Sequence, residues 1–121
     1  MKIGTPKEIF EGECRVAMTP ESAAQLQKLG HDCVIETGAG ALAGFSDADY
    51  KTAGVEVVKT AAALWKTADV VAKVRAPDEG EVKRLRDAQT LISFINPAAN
   101  ADLLDAAANK GSTVVAMDMV P

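Results

Sequence analysis

Apolar and polar positions along the chain alternate in short blocks, and the blocks change period as they go. Lys2–Thr5 is a brief apolar run closed by Pro6, which predicts a strand ending in a turn. Thr19-Pro20 then pairs an N-cap residue with proline at the first helical position, and Glu21 and Ser22 follow in the first turn. Ala23, Ala24, Leu26, Gln27 and Leu29 continue at helical spacing, and Gly30 is placed to stop the helix. Asp32–Thr37 has the body of a strand in Cys33, Val34 and Ile35. The small residues Gly38 to Gly44 predict a flexible loop. Ser46 is a candidate cap for a helix over Asp47–Ala53, with Gly54 as its stop. Val55–Val58 predicts a third strand, Ala61–Thr67 a helix bearing Trp65, and Asp69–Arg75 a strand stopped by Ala76-Pro77. Asp78–Asp87 predicts a charged helix with Val82 and Leu85 inward. Thr90–Ile95 predicts a central strand stopped by Asn96-Pro97. Asn100 caps a helix running to Asn109, Gly111 stops it, and Thr113–Met117 is the last strand.

Strand and helix thus alternate about six times across short connections, the pattern of an α/β domain with a doubly wound, mainly parallel sheet and helices on both faces. Rossmann-like and flavodoxin-like strand orders both satisfy it. At 121 residues the chain is one domain or a piece of a larger protein. The terminal VVAMDMVP reads as a buried strand halting at Pro121, and the expectation is that the chain is the front part of something longer.

Composition narrows the function. Hydrophobic residues make up 48% of the chain and aromatics only 4%, so the core has to be aliphatic. The net charge of −4 argues against nucleic acid or an anionic membrane surface as partner, since both reward a basic surface. Cys14 and Cys33 form no CxxC and no Cys/His cluster, and two reduced thiols are expected. There is no signal-peptide pattern and no 18-residue apolar run, so a soluble, unexported chain is expected.

Four residues are candidates for anion or cleft chemistry. Arg15 is the sole cation between Lys7 and Lys28, in a loop with Glu8, Glu11 and Glu13. Its planar fork of donors suits a carboxylate or phosphate, and equally an ion pair with one of those glutamates. Lys73 and Arg75, two apart near the carboxyl end of a strand, point to one face. Cations there mark either a ligand crevice or a strand emerging into solvent. Asn96, just past the next strand, could bond a ligand at the same crevice or form an ordinary Asx-Pro turn. Gly38, Gly40 and Gly44 miss the GxGxxG spacing by one residue and follow the second strand, so they are not read as a phosphate loop. His31 has no second histidine and no evident carboxylate partner, which leaves no metal or triad.

The segments MKIGTPKE, ECRVAMTP (Glu13 to Pro20) and KLGHDCVIETGAGALAGFSDADYKTAG (Lys28 to Gly54) resemble the N-terminal domain shared by alanine dehydrogenases and nicotinamide nucleotide transhydrogenases. The resemblance continues through ADVVAKVRAP, TLISFINPAAN and VVAMDMVP, keeping order and spacing over essentially the whole chain. It implies an oxidoreductase. In alanine dehydrogenases the pyruvate site uses an arginine at the position of Arg15, a lysine at that of Arg75 and a histidine at that of Asn96. Two of these three are changed here. Loss of the histidine removes the acid/base group, and a guanidinium cannot exchange protons in a lysine's place.

SFINPAAN and AMDMVP are instead similar to the NAD(H)-binding alpha subunits of bacterial proton-translocating NAD(P) transhydrogenases. These pass hydride between NAD(H) and NADP(H), coupled to proton movement. The resemblance implies a downstream Rossmann domain with the GxGxxG, and a loop bearing Arg and Gln that grips the nicotinamide. It also implies a beta subunit and membrane domains as partners, a homodimer of the alpha component, and a place on the cytoplasmic side of the inner membrane. NAD(H) is then the cofactor of the full-length protein, with none expected on these 121 residues alone, and no catalytic residue is expected within them. Two alternatives stand beside this: an alanine-dehydrogenase-like oxidoreductase with an altered substrate, and a stand-alone module that holds a small anion through Arg15, Lys73 and Arg75.

Overall fold

A computed structural model describes residues 1–94 and 101–117. Six strands form one sheet: β1 (Lys2–Thr5), β2 (Asp32–Glu36), β3 (Glu56–Val58), β4 (Val70–Ala72), β5 (Thr90–Ser93) and β6 (Thr113–Ala116). The helices are α1 (Pro20–Lys28), α2 (Asp47–Thr52), α3 (Ala61–Thr67), α4 (Glu79–Arg84) and α5 (Ala101–Asn109). The strand order is β3-β2-β1-β4-β5-β6, and every pair is parallel. This is the Rossmann order, which resolves the choice the alternating pattern left open. Strand order depends on pairings between residues far apart in sequence, such as Ile3 with Val70.

The local signals act as read. Thr19 caps α1 with its side chain on the Ser22 amide, and Pro20 stands first in the helix. Ser46 and Asp78 close capping boxes with Asp49 and Glu81. Gly30 and Gly54 follow helix ends with φ of 95° and 87°, a conformation that side chains with a Cβ rarely adopt.

Each face of the sheet has its own core. Cys33 and Ile35 of β2 pack with Met18, Ala23, Tyr50 and Val55 under α1 and α2. Val34, between them in sequence, packs with Leu64, Trp65, Ala68, Val71, Val82, Leu85, Leu91 and Ala107 on the face of α3, α4 and α5. One strand thus feeds both layers, as strict alternation of side chains requires. Burial of the Tyr50 phenol, which donates to the Met18 carbonyl at 2.7 Å, pushes its pKa up to about 12.

Helix α3 carries the chain from edge strand β3 across to β4, which pairs with β1. Gly4 on β1 permits this close crossing. A Cβ there would lie 2.7 Å from the Ala68 Cβ, 3.0 Å from Val34 and 3.1 Å from Leu64. Gly4→Ala is therefore expected to destabilise by about 1–3 kcal/mol through overpacking. Denaturant titration checks it, and an unchanged midpoint would show that α3 yields.

Three expectations are corrected. The strand through Asp69–Arg75 ends at Ala72, because the Val74 and Arg75 amides donate to the Glu8 carboxylate. The helix over Asp78–Asp87 is confined to Glu79–Arg84, since Leu85 turns to an extended backbone. The loop Gly38–Gly44 holds a short 3-10 turn, Ala41–Ala43. Gly40 is small because of packing there: its Cβ would meet the Tyr50 ring at 2.6 Å. Both thiols are free, Cys14 exposed and Cys33 buried. Among the described residues, no helix is long and apolar enough to cross a membrane. Asn96, the Asn100 cap and the tail from Asp118 lie outside the described residues.

Candidate functional site

The chain leaves β1 toward β2 on one side and returns to β4 on the other, so the loops after these neighbouring strands diverge. Such a divergence is where open α/β sheets form a ligand crevice. Here the loop after β1 brings Glu8, Phe10, Glu13 and Arg15. The loop after β4 brings Lys73 and Arg75, and α4 brings Glu81.

Two ion clusters fill the crevice. In the inner one, the Lys73 ammonium is almost wholly buried, with its side chain 1% exposed. It donates to Glu8 Oε1 at 3.1 Å and to the Arg75 carbonyl at 2.6 Å, and stands 3.4 Å from Glu81 Oε1. Glu8 also accepts the amides of Val74 at 2.8 Å and Arg75 at 3.1 Å. One carboxylate thereby staples the β1 loop to the β4 loop. Glu81 is held by the Asp78 amide, which donates to its Oε1. Burial pushes its pKa up, and Lys73 opposes that.

In the outer cluster, Glu13 takes four donors. Its Oε1 accepts Arg15 Nη2 and Arg75 Nε, each at 2.8 Å. Its Oε2 accepts the Arg15 amide at 2.8 Å and Arg15 Nε at 3.0 Å. These bonds, led by those of Arg15, hold the Glu13 carboxyl well below the usual carboxylate range. The Arg75 guanidinium also lies 4.2 Å from the centre of the Phe10 ring. A cavity of about 270 Å³ opens beside it, lined by Ile9, Phe10, Lys73, Arg75, Asp78 and Glu81 among others.

Three of the four candidates therefore meet at the switch point, while Asn96 lies outside the described residues. Arg15 pairs with Glu13, one of the glutamates open to it. Lys73 does not emerge into solvent, because two carboxylates and a carbonyl enclose it. Glu8 and Glu13 are legible in the sequence as possible partners of Arg15; what sequence reading missed is that Glu8 serves Lys73, that Glu13 also takes Arg75, and that Glu81 joins the inner cluster, the three side chains being 3%, 3% and 8% exposed. Asp78-x-x-Glu81 carried a capping-box signal that placed Glu81 on the first turn. Nothing local paired Glu8 with the β4 loop, where its partners lie 65 to 67 residues away. Among the described residues each of the three cations faces a carboxylate: Arg15 and Arg75 meet Glu13, and Lys73 meets Glu8 and Glu81.

Comparison with known proteins agrees with this architecture. Residues 4–121 match the family model described as alanine dehydrogenase/PNT, N-terminal domain. The chain is 69% identical over its full length to NAD(P) transhydrogenase subunit alpha of Cereibacter sphaeroides, and spans 23% of that protein. It is 41% identical over 99% of its length to alanine dehydrogenase of Mycolicibacterium smegmatis, of which it spans 32%. Among solved structures, transhydrogenase from Sinorhizobium meliloti superposes with a TM-score of 0.94 at 37% identity, over all of this chain and 36% of that one. The chain thus spans about a quarter to a third of the relatives it matches.

Proposed function

Because the chain belongs to the family of alanine dehydrogenase/PNT N-terminal domains, we propose that it serves as the first domain of the NAD(H)-binding alpha component of a proton-translocating NAD(P) transhydrogenase. In that role it forms one wall of the cofactor cleft, and a Rossmann domain further along the same subunit forms the other. The complete assembly passes hydride between NAD(H) and NADP(H) and couples the transfer to proton movement. A beta subunit and membrane domains complete it, the alpha component pairs with a second copy, and the domain sits peripherally on the cytoplasmic side of the inner membrane. The isolated 121 residues neither bind NAD(H) well nor transfer hydride.

The observation that carries this reading is the neutralised switch point. Alanine oxidation needs a group that takes the proton from the substrate. Here Arg15, Lys73 and Arg75 each meet an internal carboxylate, and the position where alanine dehydrogenases hold a histidine is Asn96. Hydride transfer between two nicotinamides makes no such demand, because the rings do the chemistry and the protein positions them. The 69% identity to a transhydrogenase subunit points the same way.

A chimera tests the reading. The first 121 residues of the Cereibacter sphaeroides subunit are replaced by this chain, and the subunit is assembled with its partners in membranes. Retained hydride transfer from NADH to NADP⁺, with no alanine-dependent reduction of NAD⁺, is the expected result. A folded, assembled chimera without hydride transfer, or one that oxidises alanine, would overturn the proposal.

A further inference from the structure

We draw no further inference here: the strongest candidate, the apolar sheet face that Val70, Ala72, Ile92 and Val115 of β4, β5 and β6 present on the side opposite α4 and α5, left half-buried or exposed although parallel strands are normally covered on both faces, carries none, because nothing in the structure shows what covers it.

Discussion

Lys73→Ala is expected to destabilise the domain by about 3–5 kcal/mol, the usual cost of removing one partner from a buried ion pair. The loss takes the countercharge from two carboxylates, Glu8 and Glu81, whose side chains are only 3% and 8% exposed, and leaves Glu8 only its two backbone amides. It also frees the Arg75 carbonyl that the ammonium caps at 2.6 Å. Domains of this size hold only about 5–15 kcal/mol of net stability, so the variant loses a large share of its margin. The pH dependence has a definite sign. Burial already raises the Glu81 pKa, and Lys73 is what restrains it. A raised carboxyl favours the fold below its ordinary pKa, and that contribution is lost as pH rises through the folded value. Without Lys73 the rise is larger. The deficit of the variant is therefore greatest near neutral pH and shrinks under acid conditions, where the Glu81 carboxyl takes up a proton. Urea unfolding across that range measures it. A deficit independent of pH would show that packing of the aliphatic stem, rather than charge, accounts for the loss.

Trp65→Ala is expected to cost a similar amount, about 3–5 kcal/mol, by opening a cavity in the aliphatic core. Trp65 is 1% exposed and sits where α3 packs on the sheet, in a cluster with Leu64, Val71 and Leu91. Its backbone carbonyl and that of Ala68 accept from Gln89 Nε2, at 2.7 and 2.8 Å, so the end of α3 is tied to the turn before β5. The indole N–H is buried without a partner among the described residues. Trp65→Phe removes that N–H together with some volume, and should cost clearly less. Circular dichroism during denaturant titration reads both variants, since Trp65 is the chain's single tryptophan. Equal losses for the two would place the stabilisation in the indole itself and contradict the cavity argument.

How much of this the sequence held depends on how far apart the partners stand. Caps and stops are local, and Thr19-Pro20, Ser46, Gly30 and Gly54 sit where their chemistry put them. The doubly wound class followed, because alternating periods leave few other architectures. The placing of β1 beside β4 did not, because it rests on pairing across 67 residues. The premature end of β4 has the same origin: the carboxylate that draws the Val74 and Arg75 amides belongs to Glu8. Lys73 looked equally ready for a crevice or for solvent; the sheet order supplies Glu8 from the β1 loop, and the first turn of α4 supplies Glu81. The candidate cations and the loop glutamates were visible as residues, while which acid answers which cation became visible only in three dimensions.

The central position of β1 bears on the order of events during synthesis. Of the six strands of this sheet, β1 is the earliest in the sequence; it pairs on one side with β2, which is available by residue 36, but its other edge waits for β4 at residues 70 to 72. A chain emerging from the ribosome therefore passes through a stage in which β1, β2 and β3 can assemble around an open inner edge. Unpaired strand edges of that kind are templates for association with other chains. Helix α3, threading back beneath Gly4, is the segment whose arrival delivers β4 and ends the exposure. Slower translation through residues 59 to 72 is thus expected to lower the yield of native domain without changing the stability of the finished fold, and equal yields from fast and slow synonymous codons over that stretch would refute it.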